Sequence, residues 1–173
     1  MKGIIAIIIV AVLAAAGFYL ARQPDCPSFE PVAVAPGDIF NLIFPDYNCQ
    51  TVKLADFRGQ NLVLNTWAAW CLFCKDELPD FAAAQKEFGD DVKIIAIDRA
   101  ERLATAKRYS DELGVTGQLI LLLDPEDSFY QTIGGFSMPE TLFIDEQGNI
   151  VEHKRGPLKL PKIREKIKNL LEA

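Results

Sequence analysis

An unbroken apolar run opens the chain and is followed by a stretch without a regular pattern of apolar and polar positions. No charged side chain occurs from Gly3 to Ala21, and as a helix this run is about 28 Å long, close to the hydrocarbon thickness of a bilayer. The pattern predicts a transmembrane anchor over residues 1–22. A signal sequence, cleaved near the small residues 14–16 or left uncleaved, is the alternative. Residues 23–36 are rich in proline and predict a spacer.

After residue 36 the pattern alternates between short apolar runs and helical periodicity. Two apolar segments flank the turn sequence Pro45-Asp46-Tyr47-Asn48 and predict a β-hairpin. Buried strands and amphipathic helices follow in alternation, and a second hairpin has its turn at residues 145–149. The predicted strands cover residues 39–44, 50–54, 62–66, 92–97, 119–123, 141–144 and 150–153, and the predicted helices cover residues 75–88, 101–113, 127–133 and 160–171.

Strands that alternate with helices predict an α/β domain over residues 37–173, with parallel pairing in its sheet and antiparallel strands added by the last hairpin. Half of all residues are hydrophobic, which suffices for one buried core. The last predicted helix places its apolar residues on one face, through which we expect it to pack. These residues are Ile163, Ile167, Leu170 and Leu171.

Charge narrows the class of partner. Beyond Arg22, 24 acidic residues outnumber 16 basic ones, which argues against nucleic acid and against anionic lipid headgroups as partners. Lys2 and the terminal amine make the N-terminus positive, and such a segment is most simply retained in the cytoplasm. The sequence therefore predicts a membrane-anchored protein whose domain faces the periplasm or another extracytoplasmic side.

Cys71 and Cys74 are the candidate chemical groups. They form a C-x-x-C pair between a predicted strand and a predicted helix, a setting typical of thiol–disulfide exchange. We predict that the helix begins at Cys71, because unpaired N–H groups at a helix N-terminus favour a thiolate there. Cys74, one turn later, suits attack on a mixed disulfide. Zinc binding is the alternative, but Cys26, Cys49 and His153 lack ligand spacing, and no metal or cofactor is predicted.

Cys26 and Cys49 leave several states open. In an exported domain they could form an intramolecular disulfide between the spacer and the first hairpin. Cys26 could instead be free, lipid-modified or paired with another chain. The spacing of the two cysteines does not decide among these states.

Two sequence blocks resemble those of the TlpA/ResA-type thioredoxin-like proteins. The run from Asn65 to Pro79 (NTWAAWCLFCKDELP) is similar to the W-C-x-x-C-x-x-E-x-P block of that family, and the run from Met138 to Gly148 (MPETLFIDEQG) is similar to its P-x-T-F-x-I-D-x-x-G segment. The run from Asp56 to Gly59 resembles the motif before the first core strand. The resemblance spans roughly residues 37–173. It implies an α/β thioredoxin-like fold with an N-terminal β-hairpin extension, preceded by the predicted transmembrane helix.

The resemblance also implies a substrate-binding surface beside the cysteine pair. Pro139 matches the family's cis-proline, which lies opposite the pair and would leave the backbone of Met138 to bind an extended substrate strand. Trp70 is next to Cys71 and is predicted to contact substrate, whereas Trp67 is assigned to the core.

Glu77 is the candidate for proton exchange with Cys74. It lies one helical turn after Cys74, and Asn65 stands where thioredoxins carry a buried acid, so Glu77 is the closest acidic group for this role. The alternative is a structural one, since an acid in the first turns of a helix stabilises the helix dipole.

The resemblance implies an extracytoplasmic thiol–disulfide oxidoreductase that reduces protein disulfides with the Cys71/Cys74 dithiol. Such proteins take electrons from a membrane thiol carrier, and apocytochrome c is one known substrate. A disulfide-forming oxidase or isomerase is the alternative. The dipeptide between the cysteines is Leu72-Phe73, whereas many relatives have proline beside the second cysteine, so the reduction potential of the pair does not follow from the relatives. A non-catalytic thioredoxin-like binding module is a third hypothesis. A peroxidase is disfavoured because the sequence lacks a P-x-x-x-T-x-x-C block.

Overall fold

The computed structural model describes Cys26 and residues 38–172. The predicted transmembrane helix and all of the predicted spacer except Cys26 lie outside the described residues. Within the part of the chain that is described, no helix combines the length and the apolar character needed to cross a bilayer.

In residues 38–172, seven strands and four α-helices follow one another in the order that the sequence predicts. Short 3-10 helices occur at Ile39–Asn41, Leu54–Phe57 and Gly89–Asp91. The strands are β1 (Ile43–Pro45), β2 (Thr51–Lys53), β3 (Leu62–Trp67), β4 (Lys93–Arg99), β5 (Ile120–Asp124), β6 (Glu140–Ile144) and β7 (Ile150–Arg155). The helices are α1 (Cys74–Phe88), α2 (Leu103–Glu112), α3 (Ser128–Thr132) and α4 (Leu160–Leu171).

The five strands β3 to β7 form a mixed sheet in the order β5-β4-β3-β6-β7. The β3–β4 and β4–β5 pairs are parallel, while the β3–β6 and β6–β7 pairs are antiparallel. Every residue of β3, including the polar Asn65 and Thr66, is buried, because this central strand is covered on both faces. The carboxyl ends of β3, β4 and β5 and the amino end of β6 therefore meet at one edge of the sheet.

Two apolar layers cover the sheet. On one face, side chains of β3 and β4 pack with α1, α2 and α4. On the other face, the 3-10 helix at Ile39–Asn41, strand β1 and helix α3 pack on the alternate residues of the same strands. The predicted first hairpin corresponds to β1 and β2, which pair antiparallel and form a separate small sheet. The cysteine pair follows β3 and therefore lies at the edge of the sheet where the carboxyl end of β3 is found.

Helix α4 has the bounds that the sequence predicts, but one residue of its predicted packing face is wrong. Ile163, Ile167 and Leu170 are buried against the sheet, whereas Leu171 is exposed. Consecutive residues of an α-helix are about 100° apart around its axis. Leu171 is therefore turned away from the sheet when Leu170 faces it.

Cys26 and Cys49 form an intramolecular disulfide, with an S–S distance of 2.12 Å. Cys49 lies in the turn between β1 and β2, so the bridge ties the segment before the domain to this small sheet. The Cys26 side chain also packs against the apolar layer that α1, α2 and α4 cover.

Candidate active site

The cysteine pair lies in the connection between the central strand and the first helix. Strand β3 ends at Trp67, and α1 begins at Cys74. Strand β6 runs antiparallel to β3, with Thr66 opposite Glu140. The segment that enters β6 therefore lies at the same edge of the sheet as the cysteine pair. The residues 68–73 between β3 and α1 are called the redox loop below.

Cys71 and Cys74 are joined in a disulfide, so the structure holds the oxidised form of the pair. The predicted start of the helix at Cys71 is wrong, because the N–H of Cys74 donates to the carbonyl of Cys71 over 3.2 Å and closes a turn before the helix. The same N–H also lies 3.3 Å from the Cys71 Sγ and donates to it. Cys74 is fully buried and Cys71 almost so. The first N–H of the helix thus still points at Cys71, which accepts it with both its carbonyl oxygen and its sulfur.

Glu77 lies on the buried side of α1, with its carboxylate held at both oxygens. Oε1 accepts the N–H of Leu158 at 2.8 Å, and Oε2 accepts the Nδ2 of Asn65 at 3.1 Å. Burial raises the pKa of Glu77 to about 7, although these two hydrogen bonds act in the opposite direction. A carboxyl group with this pKa exchanges its proton near neutral pH, which suits a general acid or base.

Asn65 occupies the centre of β3 and links Glu77 to the neighbouring strand. Its Nδ2 also donates to Oγ1 of Thr141 on β6 at 3.1 Å. Its Oδ1 has no hydrogen-bond partner among the described residues, although the side chain is fully buried. This free acceptor lies on the amide that contacts Glu77, where a protonated carboxyl group needs an acceptor.

The segment before β6 carries Met138 and Pro139, and their peptide bond is cis, as the family resemblance implies. Met138 packs against the apolar layer that contains both cysteines. Oγ1 of Thr66, near the end of β3, lies 3.7 Å from the Met138 Sδ. The structure therefore brings Met138 and Pro139 to the edge of the sheet that carries the Cys71–Cys74 disulfide.

Glu140 fixes this segment, a role that the sequence does not predict. Its fully buried carboxylate accepts the N–H groups of Phe136 and Ser137, each at 2.6 Å, and contacts His153 Nε2 at 2.5 Å. Burial acts to raise the pKa of Glu140, but these hydrogen-bond donors outweigh it and lower the pKa below its ordinary value. His153 lies on β7, in the predicted hairpin, and is half-buried. Tyr130 adds a further restraint by donating its hydroxyl to the Ser137 carbonyl at 3.0 Å.

Large apolar side chains are exposed in the redox loop and in the segment before Pro139. A soluble surface rarely places several such side chains together without a binding role. This set is called the apolar rim below. Its members are Trp70, Leu72, Phe73 and Phe136, with 62%, 81%, 58% and 85% of their surface exposed.

The two tryptophans of the block have different surroundings. Trp67 is fully buried and stacks on Tyr109 of α2, with 5.7 Å between the ring centroids. Trp70 is exposed three residues later. Trp67 is therefore part of the core, and only Trp70 is available to a partner. Among the described residues, no group of three His, Cys, Asp or Glu side chains could hold a metal ion.

Comparisons with known proteins agree with this geometry. The model of the AhpC/TSA family matches residues 36–153. The chain is 32% identical to the thiol:disulfide interchange protein DsbE of Allochromatium vinosum over 153 residues, which cover 84% of this chain and 79% of that protein. It is 27% identical to the thiol-disulfide oxidoreductase ResA of Bacillus subtilis over 122 residues, which cover 70% of this chain and 67% of ResA.

A solved structure supports the fold. A secreted Mycobacterium tuberculosis disulfide oxidoreductase homologous to E. coli DsbE superposes with a TM-score of 0.70 at 15% identity, and the match covers 77% of this chain and 98% of that one. At this identity the likeness bears on the fold alone. The predicted thioredoxin-like α/β fold is confirmed for the matched part of the chain.

Proposed function

This chain belongs to the AhpC/TSA family as a protein-disulfide oxidoreductase of the TlpA/ResA type, and on this premise we propose that it reduces protein disulfides outside the cytoplasm. Cys71 is the attacking cysteine and Cys74 the resolving one. The substrates are exported proteins with a disulfide that must be opened, and the C-x-x-C-H site of apocytochrome c is a candidate among them. A membrane thiol carrier returns two electrons to the pair after each cycle.

The surroundings of Cys71 support the reducing direction. A disulfide is a strong oxidant when the protein stabilises the thiolate that forms on reduction. Here Cys71 is almost fully buried within an apolar layer, and among the described residues the Cys74 N–H is the donor to its sulfur. An apolar environment disfavours a charged group, so a thiolate formed here is weakly stabilised. The dithiol therefore gives up its electrons readily.

The reaction consists of two exchanges. The Cys71 thiolate attacks one sulfur of the substrate disulfide, which breaks that bond, forms a mixed disulfide and releases a substrate thiolate that takes a proton from water. The Cys74 thiol then loses its proton and attacks the Cys71 Sγ. This step frees the second substrate thiolate and forms the Cys71–Cys74 disulfide present in the structure. Two electrons pass from the pair to the substrate.

Glu77 takes the proton of Cys74 in the second exchange. It lies one turn after Cys74 on α1, both residues are buried, and its pKa of about 7 allows the carboxylate to accept a proton at neutral pH. Asn65 supports both states of Glu77. Its Nδ2 donates to the ionised carboxylate, and rotation of the amide by half a turn offers the free Oδ1 to the proton of the neutral acid.

The apolar rim and the segment with Met138 and Pro139 form the substrate-binding surface. Trp70 and Leu72 flank Cys71 on the redox loop, and Phe136 lies on the segment that Glu140 fixes. A surface with these side chains favours substrates whose reacting cysteine lies in an apolar, extended stretch, and the Met138 backbone is suited to pair with such a stretch. Apolar contacts also explain how an acidic protein binds partners without a charged interface.

The location outside the cytoplasm has two supports. The apolar run from Gly3 to Ala21 predicts an anchor, and Cys26 and Cys49 form a disulfide of a kind that persists in oxidising compartments. The anchor would hold the domain near the membrane thiol carrier that reduces it.

Trapping of the mixed disulfide tests the proposed reaction. Reduced protein with Cys74→Ser, mixed with a peptide that carries an intramolecular C-x-x-C disulfide, is expected to accumulate an adduct through Cys71, because the resolving thiol is missing. Mass spectrometry of tryptic fragments identifies the linked cysteine. The dithiol form of the same peptide is the control and should give no adduct. An adduct through Cys26 or Cys49, or no adduct at all, would contradict the assigned roles.

The same trap tests the apolar rim. In the Cys74→Ser protein, Leu72→Ser should slow adduct formation with an unfolded protein disulfide by about fivefold, since truncation of a well-placed interface residue costs about 1 kcal/mol. The rate with oxidised glutathione should stay unchanged. Leu171→Ser, which removes an exposed leucine at the end of α4, is the matched control. Equal effects on both disulfides would show that Leu72 acts on the chemistry and not on substrate binding.

A further inference from the structure

Asp98 is a buried acid beside the redox loop that the reaction above does not use. It lies near the carboxyl end of β4, opposite Trp67 of β3 and Leu123 of β5. Trp67 and Leu123 both belong to the apolar layer that contains Cys71 and Cys74. Side chains that pair across adjacent parallel strands point to the same face. Asp98 is therefore buried on the face of the sheet that carries the disulfide, and its exposed surface is zero.

The Asp98 carboxyl group lacks the partners that an ion would need. Neither of its oxygens accepts a hydrogen bond from the described residues. Burial, followed by the neighbouring carboxyl group of Glu101, raises the pKa of Asp98 well above its ordinary value, and Asp124 acts in the same direction. An unpaired charge in an apolar layer is strongly unfavourable. Asp98 therefore carries its proton at neutral pH.

Glu101 connects this acid to the redox loop. It follows β4 by two residues, and its Oε2 accepts the backbone N–H of Ala69 at 2.7 Å. Ala69 lies two positions before Cys71. A carboxylate that binds a loop N–H at this distance forms a charge-assisted hydrogen bond, which restrains the backbone more than a neutral acceptor does.

The other ionisable groups around Asp98 come from three elements. Asp124 at the end of β5 accepts the N–H groups of Ser128 and Phe129 at the start of α3 and is engaged there. Tyr47, from the turn between β1 and β2, accepts a hydrogen bond from Ser110 of α2, and burial raises the pKa of its hydroxyl. The Tyr109 ring, also on α2, stacks on Trp67. Glu101 is thus the neighbouring carboxyl group that links Asp98 to the redox loop.

We propose that Asp98 and Glu101 share one proton and act together as positioning residues, holding the redox loop in place through the bond from Ala69 to Glu101. While the proton is present, Asp98 is neutral and Glu101 keeps its charge for the Ala69 N–H. When the proton leaves at high pH, two carboxylates face each other in the apolar layer. Their repulsion displaces Glu101, which releases Ala69 and places a negative charge near the site where the Cys71 thiolate forms. The proposal holds for either direction of electron flow.

Nuclear magnetic resonance of the oxidised protein tests the shared proton, because neither cysteine titrates in a disulfide. The Asp98 carboxyl carbon shift should report a titration above neutral pH, and the Ala69 amide proton shift should follow it with the same midpoint. Asp98→Asn mimics the protonated acid. In this variant the Ala69 amide proton shift should keep its neutral-pH value at every pH. Glu112→Gln, an exposed acid at the end of α2, is the control and should titrate like the wild type. An Ala69 shift that is flat in the wild type, or that titrates equally in Asp98→Asn, would overturn the proposal.

Variants at Glu101 test whether this residue positions the redox loop or has only a structural role. Glu101→Gln keeps an acceptor for Ala69 but removes the like charge, so the Asp98 titration should move to lower pH. Glu101→Ala removes the acceptor, and the rate at which dithiothreitol opens the Cys71–Cys74 disulfide should change by about tenfold at neutral pH, the factor for one charge-assisted hydrogen bond. Above the Asp98 midpoint the wild-type rate should approach that of Glu101→Ala. If the Asp98 midpoint did not move in Glu101→Gln, the shared proton would be contradicted. If the rate did not depend on Glu101, the positioning role would be contradicted.

Discussion

Replacement of Cys71 by serine should abolish disulfide exchange, with a loss of at least about a thousandfold in rate, because a serine oxygen cannot form the mixed disulfide. Cys71 Sγ accepts the first N–H of α1, and the exposed Trp70 and Leu72 are its neighbours in the chain. No neighbouring thiol can replace it, since Cys74 is fully buried beneath it. The measurement is the turnover of a protein disulfide with a chemical dithiol as electron donor.

The second disulfide provides the matched control. The double variant Cys26→Ser/Cys49→Ser removes two cysteines that are 23 positions apart. Opening a loop of this length should lower the free energy of unfolding by about 3 kcal/mol, while the exchange rate stays that of the wild type. Exchange that survives in Cys71→Ser would show that another group carries out the attack, whereas a wild type without exchange would favour a non-catalytic binding module. Exchange that disappears in the double variant would mean that the second disulfide takes part in the reaction.

Replacement of Glu77 by glutamine should slow the resolving step by about a hundredfold, the usual contribution of a general base. The first step, attack by Cys71 on a substrate disulfide, should keep its rate. Rapid mixing with a fluorescent disulfide separates the two steps. In the wild type the resolving rate should rise with pH through the Glu77 pKa of about 7 as the carboxylate forms. In the glutamine variant this inflection should be absent.

Glu77 should also change stability with pH. Its pKa rises from 4.5 in the unfolded chain to about 7 in the folded protein, so the folded state binds more protons between these values. The free energy of unfolding therefore falls as pH rises through this window, by roughly 3 kcal/mol from this group. Urea unfolding of Glu77→Gln should lack this decrease, so that the variant gains stability relative to the wild type between pH 5 and pH 8.

Asp76→Asn is the matched control for Glu77, because it removes a neighbouring acid whose side chain is exposed on the same helical turn. This variant should keep both the pH inflection and the stability profile of the wild type. If Glu77→Gln retained the inflection in the resolving rate, Glu77 would have only a structural role at the start of α1.

Much of the fold follows from local pattern. The apolar run that opens β3 and the 3.6-residue periodicity of α4 give their positions within one residue. Periodicity also places the start of α1 within one residue of Cys74. The thiolate argument, which places it at Cys71, is wrong because the Cys74 N–H and the Cys71 carbonyl form a turn before the helix. A charge preference for a helix N-terminus does not specify which residue is the first helical one.

The parts of the candidate site that depend on spacing along the chain are predictable from sequence. The parts that depend on how neighbouring strands pair are not. The C-x-x-C pair and Glu77 lie within seven consecutive residues, 71–77, at the start of α1. Glu140 and His153, by contrast, meet diagonally across β6 and β7, whose register shifts between Phe143 and Ile144. A sequence pattern does not fix such a contact. The burial of Asp98 is not predictable for a related reason, since an acid at the end of an apolar strand usually lies in a solvated turn.

The equilibrium reduction potential of the Cys71–Cys74 pair tests the proposed reductase most directly. Trp67 is packed with both cysteines in one apolar layer, so its fluorescence can report the redox state during equilibration with glutathione or dithiothreitol buffers. A weakly stabilised thiolate at Cys71 predicts a potential below about −220 mV, in the range of protein reductants. A potential near about −120 mV would contradict the account and assign the protein to disulfide formation.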